Sequence, residues 1–61
     1  MNRIREIRAQ RDMTLKELSD LTNIHLVNIS RYERGERGLE LETAAIIAAA
    51  LNCTVDDLIA K

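Results

Sequence analysis

The chain has 61 residues, a formal net charge of −1 and one cysteine. This length allows one domain, residues 1–61, with a thin core, because a domain of this size buries only about 60% of the surface that its unfolded chain exposes. One cysteine and one histidine exclude an intrachain disulfide and a Cys/His zinc site, and no apolar run reaches the length of a membrane span.

The composition predicts an all-α fold. The chain has no proline, lacks alternating β-branched runs and is rich in Ala, Leu, Ile, Glu and Arg. The first of five predicted helices runs roughly from Asn2 to Arg11, with Ile4 and Ile7 on one face. Residues 12–13 then end it.

The second helix begins at a capping box. Thr14 is the predicted cap, and Glu17 follows three residues later, so that the two side chains satisfy two backbone N–H groups reciprocally. Three leucines follow at helical spacing: Leu15, Leu18 and Leu21. The helix is expected to end near Thr22, and Asn23 suits the left-handed conformation of a tight turn.

A third short helix follows closely, which predicts a helix-turn-helix arrangement. About four residues, 22–25, join the two helices, and the apolar Ile24 lies within the turn. The third helix starts near His25 and ends at Gly35, a C-terminal glycine stop. An internal wedge is expected from three residues: Leu18, Ile24 and Ile29. The spacing alone also fits a generic helical hairpin.

The last two helices complete the predicted core. Residues 36–39 form a loop, residues 40–51 a fourth helix, and residues 52–53 a break. Thr54 with Asp57 makes a second cap-and-acid pair that opens a short fifth helix. Five residues of the fourth helix are expected to fill the core: Leu41, Ala44, Ile47, Ala48 and Leu51.

Charge is distributed unevenly along the chain. Residues 1–11 hold four arginines and one glutamate, a net charge of +3, whereas residues 39–61 hold four acids and one lysine, a net charge of −3. The folded chain can therefore present one basic and one acidic face, despite a net charge that by itself argues against nucleic acid. Three arginines, Arg3, Arg5 and Arg11, either add long-range attraction or form a solvated face.

Two segments carry a resemblance to a known family. MTLKELSDLTNIHLVNISRYERG, followed by LELETAAIIAAALNCTVDDLI, resembles the Cro/phage-repressor type of helix-turn-helix domain, also called the XRE family. The resemblance covers Ile4 to Ile59, and its most specific parts are ISRYERG, TLKELS and ALNCTVDDLI. It implies a compact, five-helix, lambda-repressor-like domain that binds operator DNA and acts as a transcriptional regulator, most often a repressor.

In such domains the N-terminal end of the third helix enters the major groove. Ile29 and Tyr32 share one face and should be buried, which leaves four residues as candidates for base contact: Leu26, Val27, Asn28 and Arg31. Arg31 is the best of them, because a guanidinium can bridge O6 and N7 of guanine with two hydrogen bonds. Asn28 can pair with adenine or hold a phosphate, and solvent exposure without a DNA contact is the alternative for both.

Positively charged and capping residues around this helix are candidates for phosphate contact: Lys16, His25, Arg34 and Arg37. The alternative is a solvated surface. By resemblance, Arg8 and Glu33 form a buried ion pair between the first and third helices, which would hold the third helix on the rest of the domain.

Three apolar residues depart from the family pattern. Leu26 and Val27 stand where the family often has polar residues, and Leu15 stands where it often has Gln. Apolar side chains can touch only thymine methyls or sugar edges. An alternative function follows, in which Leu15, Leu26 and Val27 form an apolar patch for a protein partner.

Apolar residues of the last two helices predict a homodimer on DNA. The candidate interface is Ile46, Ala49, Val55 and Ile59. Dimerisation makes sense because two half-sites multiply the affinity of a small module. A well-filled core with harmless surface alanines is the alternative.

No residue pattern predicts chemistry. His25 has no metal-ligating partner, Cys53 is better explained as a partly buried small hydrophobe, and the sequence has neither a nucleophile elbow nor a glycine-rich phosphate loop. We therefore expect no enzyme activity, no metal, no cofactor and no small-molecule ligand within the chain. With no signal peptide, a cytoplasmic location is expected.

Overall fold

The computed structural model describes residues 2–59, and five helices lie within that range without any strand. Their bounds are α1 Ile4–Gln10, α2 Leu15–Thr22, α3 Leu26–Glu33, α4 Leu41–Leu51 and α5 Val55–Ile59. The predicted all-α, five-helix fold with a helix-turn-helix at α2 and α3 is confirmed, and the helix ends differ from the predicted ones by one or two residues. Lys61, counted above in the charge of residues 39–61, lies outside the described residues, as do both ends of the predicted domain.

Residues in the left-handed region end the first four helices. The φ angles of Asp12, Asn23, Gly35 and Asn52 are 54°, 60°, 73° and 57°. At the end of α3, the N–H of Gly35 donates to Tyr32 O and that of Glu36 to Arg31 O, at 3.1 and 3.0 Å. This pair of bonds is the Schellman motif, so the predicted glycine stop is confirmed.

The start of α2 also agrees with its sequence signal. Glu17 N–H donates to Thr14 Oγ1 at 3.0 Å, and Thr14 N–H donates to Glu17 Oε1 at 2.8 Å. The predicted capping box is therefore confirmed. The same reciprocal bonds, both 3.0 Å long, join Thr54 and Asp57 at the start of α5.

The core lies between all five helices. Its buried members are Ile4, Ile7, Leu18, Ile29, Tyr32, Ala44, Ile47, Ala48, Leu51 and Leu58. The expectation that Leu41 fills the core is wrong, because its side chain is 75% exposed. Leu39, two residues earlier, packs against the core instead, and Leu41 is the first residue of α4.

Several long-range bonds hold α1 against the rest of the fold. Arg3 N–H donates to Leu58 O at 2.6 Å, and Arg11 Nε donates to Leu51 O at 3.0 Å. Arg11 thereby satisfies a carbonyl at the end of α4, a role different from the attraction or solvation considered above. No helix within residues 2–59 has the length and apolar character that crossing a membrane requires.

Candidate nucleic-acid interface

The turn between α2 and α3 is held by its own side chains. Ser19 Oγ donates to Ile24 O, and Ile24 N–H donates to Thr22 Oγ1 at 3.3 Å. Leu18 and Ile29 are fully buried, and the half-buried Ile24 packs against the same core. The predicted wedge is therefore present, and it sets the angle at which α3 leaves α2.

His25 begins α3 as its N-cap. Its Nδ1 accepts a hydrogen bond from Val27 N–H at 3.2 Å, while the ring remains exposed. Because Nδ1 accepts, the neutral ring carries its proton on Nε2, which stays available as a donor. The capping geometry thus places a donor beside the first turn of α3.

Helix α3 has one buried side and one open side. Ile29 is 0% and Tyr32 7% exposed, so both point inward as predicted. Val27, Arg31 and Arg34 follow one another on the open side at helical spacing. Within residues 2–59, the Arg31 side chain forms no hydrogen bond or ion pair, so all its donors are available.

Arg8 of α1 and Glu33 of α3 form a two-point ion pair. Arg8 Nε donates to Glu33 Oε2 at 2.8 Å, and Nη2 donates to Oε1 at 3.3 Å. The side chains are only 17% and 7% exposed. Arg8 Nη1 also donates to Met13 O at 3.0 Å, so this guanidinium links α1, the next turn and α3.

Two candidates for phosphate contact are already engaged by nearby acids. Lys16 Nζ lies 3.1 Å from Asp20 Oδ2. Arg34 donates to both Glu36 oxygens, at 2.8 and 3.2 Å, and to Ser30 Oγ at 2.8 Å. The hydrogen bond from Arg34 lowers the pKa of Glu36, so this carboxylate is charged at neutral pH. Both pairs are exposed, and such pairs open at little cost.

Arg37, the last phosphate candidate, lies along α3 instead of pointing away from it. Its guanidinium carbon is 5.7 Å from the centre of the Tyr32 ring. Its Nη1 donates to Asn28 Oδ1 at 3.4 Å. Asn28 itself is half-buried at the edge of the open side.

The comparison with protein families agrees with this geometry. The helix-turn-helix family model matches residues 4–58, nearly the whole chain. The chain belongs to the helix-turn-helix family. The family assignment agrees with the resemblance found in the sequence and makes α3 the helix to examine for DNA contact.

Named relatives share this helix-turn-helix region. One is the SPbeta prophage-derived uncharacterized HTH-type transcriptional regulator YopS of Bacillus subtilis (strain 168), 41% identical over 56 residues, covering 90% of this chain and 76% of that protein. Another is the control protein C.SmaI of Serratia marcescens, 31% identical, with 95% and 69% covered. The HTH-type transcriptional regulator DdrOP3 of Deinococcus deserti is 35% identical, and the match covers 93% of this chain but only 44% of that protein.

The apolar patch in the structure is smaller than the one that the sequence suggested. Leu26 and Val27 are 39% and 44% exposed at the start of α3. Leu15 is half-buried and packs against the core. The expectation that Leu15 is exposed beside them is therefore wrong, because the first turn of α2 covers the core with that side chain.

Sequence reasoning missed three residues around α3. Asn2 Nδ2 donates to Tyr32 O at 2.8 Å, and its Oδ1 accepts from Ile4 N–H at 3.1 Å. Ser30 and Glu36 both hold Arg34. Asn just before a helix is a known capping signal, and Ser30 lies four residues before Arg34, but no local pattern indicates the bond from Asn2 to α3.

Cys53 has no sign of reactivity. Burial raises the pKa of its thiol, and Asp57 acts in the same direction, so the thiolate is disfavoured. In the described part of the chain, no cluster of three or more His, Cys, Asp or Glu residues is arranged to hold a metal ion.

Proposed function

We propose that this protein is a sequence-specific regulator that binds double-stranded DNA by laying residues 25–34 in the major groove. The observation that carries the proposal is the division of α3. Ile29 and Tyr32 anchor one side, whereas the Arg31 side chain is exposed on the other and forms no hydrogen bond or ion pair among residues 2–59. A helix with one side anchored and the other open suits a groove about 12 Å wide.

Base contact is assigned to the open side and its edges: Leu26, Val27, Asn28 and Arg31. Arg31 is proposed to bind guanine through O6 and N7, and the two apolar side chains to touch thymine methyls. Phosphate contact is assigned to Lys16, His25, Arg34 and Arg37. The exposed ion pairs of Lys16 and Arg34 would exchange their carboxylate partners for phosphates on binding.

Repression is the proposed outcome. The relatives include two proteins named as HTH-type transcriptional regulators and one named as a control protein. Occupying a promoter is enough to prevent transcription and needs no chemistry. We therefore infer that the protein works by binding alone, without enzyme activity, a cofactor or a small-molecule ligand.

A homodimer on DNA is part of the proposal. Ile46 and Ile59 are 44% and 48% exposed, and Ala49 is exposed on the same helix as Ile46. Val55 is half-buried against the protein's own core, so it can add only its outer edge. These side chains lie on α4 and α5, and Ile59 lines a cleft with Gly35 and Arg37, just after the helix assigned to the groove.

Sedimentation of the protein with and without a selected duplex tests the dimer. Two copies per duplex are expected, on half-sites related by two-fold symmetry. Ile46→Glu should lower affinity for the two-site duplex while sparing a duplex with one half-site. One copy on every selected duplex would contradict the dimer.

Selection from random duplex DNA, repeated at low and physiological salt, tests DNA reading. A defined motif is expected, with affinity that falls steeply as salt rises, because each neutralised phosphate releases counterions. If no sequence is enriched and the affinity responds weakly to salt, the alternative function is favoured. That alternative is a protein-interaction module whose patch consists of the exposed Leu26 and Val27 and the exposed part of Leu15.

A further inference from the structure

We propose that Arg37 determines specificity indirectly, by orienting the Asn28 amide so that it favours bases with a hydrogen-bond acceptor. This inference rests on the proposed DNA-reading function. It gives Arg37 a positioning role in addition to any contact with phosphate.

The position of Arg37 is set by two contacts on α3. Asn28 and Tyr32 are four residues apart and therefore neighbours on the helix surface. The Arg37 guanidinium stands 5.7 Å from the Tyr32 ring centre and donates from Nη1 to Asn28 Oδ1 at 3.4 Å. Tyr32 is 7% exposed, so its ring forms a fixed floor beneath the guanidinium.

The floor itself is anchored. Asn2 Nδ2 donates to the Tyr32 carbonyl at 2.8 Å, and Glu33, the next residue, is held by Arg8. Tyr32 therefore cannot shift easily relative to α1.

The chemistry of the contact fixes which end of the amide is presented. A guanidinium has only donors, so the Asn28 atom that faces it is the oxygen. The two N–H donors on Nδ2 are then left for the groove. In the major groove, guanine, adenine and thymine offer acceptors, whereas cytosine offers only the N4 donor.

A free asparagine has no such restriction. Rotated by half a turn about its last bond, the same amide would present Oδ1 and accept from cytosine N4. Arg37 disfavours this second orientation, because the rotated amide would turn its Nδ2 donors toward the guanidinium. The structure thus predicts discrimination against cytosine at the base that Asn28 reads, and a loss of that discrimination without Arg37.

The test first identifies the base pair at which Asn28→Ala loses its preference. It then compares four duplexes that differ only at that base pair. Wild type should bind the cytosine duplex more weakly than the best of the others. Arg37→Ala should reduce this ratio about fivefold, as expected for loss of one orienting hydrogen bond. In the Asn28→Ala background, Arg37→Ala should not change the ratio.

Lys16→Ala is the matched control. It removes a proposed phosphate contact at a residue distant from Arg37 in the sequence, so it should weaken binding to all four duplexes alike. The slope of log affinity against log salt concentration should fall by the amount expected for about one phosphate. The same even loss in Arg37→Ala, with the cytosine ratio unchanged, would overturn the positioning role and leave a phosphate contact only.

A measurement on the free protein separates this inference from the proposed function. In a nitrogen–proton correlation spectrum, Arg37→Ala should shift the Asn28 side-chain NH₂ signals and leave the core methyl signals in place. Unmoved Asn28 signals would overturn the inference even if DNA binding is sequence-specific. Failure of wild type to select any duplex would overturn the proposed function, whatever the spectrum shows.

Discussion

Arg8 of α1 and Glu33 of α3 face each other as a two-point ion pair, with bonds of 2.8 and 3.3 Å between side chains that are 17% and 7% exposed. Twenty-five residues separate them in the sequence. Glu33 is the last residue of α3, and the Arg8 guanidinium also donates to Met13 O. The helix proposed to read DNA is therefore attached to the scaffold by a bond that specifies its direction as well as its position.

Breaking this ion pair should destabilise the fold. Arg8→Ala leaves the Glu33 carboxylate largely buried without a partner, and it should lower the free energy of unfolding by about 3 kcal/mol. Urea unfolding followed by circular dichroism measures the change. Glu6→Gln is the control, because it breaks the exposed Arg3–Glu6 pair and should lower the midpoint much less. A similar small effect in both variants would contradict a structural role for Arg8.

Asp12→Gly should stabilise the protein. Asp12 has a φ of 54° at the end of α1, a conformation that glycine adopts without strain. Asp12 also places a negative charge near the negative end of the helix dipole. Relief of the left-handed conformation, worth about 1–2 kcal/mol, outweighs the larger entropy loss of glycine on folding, about 0.4–1 kcal/mol, so we expect a net gain of about 0.5–1 kcal/mol in urea unfolding, with an unchanged m value.

Two further variants check the origin of this gain. Asp12→Asn removes the charge and keeps a side chain, so it should give a smaller increase. Gly35→Ala should lower stability, because Gly35 has a φ of 73° in the same kind of motif. An Asp12→Gly protein less stable than wild type would show that Asp12 makes a contact outweighing its backbone strain.

Arg31→Ala should relax sequence preference at one base. Since the Arg31 side chain is exposed and forms no bond within residues 2–59, its loss should not affect folding. Discrimination at the contacted base should fall by about 1–3 kcal/mol. Repeating the random-duplex selection measures this, with Arg5→Ala, an exposed arginine of α1, as the control. An unchanged motif would exclude Arg31 from base reading.

Glu36→Gln should strengthen DNA binding. Glu36 now occupies the Arg34 guanidinium through two hydrogen bonds, and it must give way before Arg34 can meet a phosphate. The variant should bind every duplex more tightly, with an unchanged salt slope, because Arg34 neutralises the same phosphate in both proteins. Glu42→Gln makes the same change of charge on α4. An equal gain in both variants would assign the effect to net charge instead of to the release of Arg34.

Two capping carboxylates should make stability depend on pH. Hydrogen bonds from the backbone and side chain of Thr14 lower the pKa of Glu17, and those of Thr54 lower the pKa of Asp57. The unfolded chain then binds more protons than the folded one in acid, so their contribution is complete above a pH of about 4–5 and is lost as pH falls through the lowered values.

The measurement is the urea midpoint from pH 6 to pH 3. Glu17→Gln keeps an oxygen acceptor for the Thr14 N–H but cannot titrate, so its midpoint should fall less than that of wild type. Asp57→Asn should behave alike at the other end of the chain. If the urea midpoint of both variants fell as much as that of wild type, the capping acids would not be the source of the pH dependence.

Local features of this protein were predictable from the sequence, because each depends on residues within one or two helical turns. The capping box of Thr14 and Glu17, the glycine stop at Gly35 and the turn at Asn23 are all short-range. So is the division of α3, since Ile29 and Tyr32 are three residues apart. These features were enough to predict an all-α helix-turn-helix fold and to identify the side of α3 that is open.

Tertiary structure decided what periodicity cannot express. Leu41 has the spacing of a core residue, yet Leu39 packs against the core and Leu41 is left exposed. The sequence marks Arg37 as a candidate for phosphate contact, but its contacts with Tyr32 and Asn28 follow from the tertiary structure. Spacing along a helix specifies which residues share a face. The residue that buries this face, or that accepts a hydrogen bond from one of its side chains, comes from a distant part of the chain.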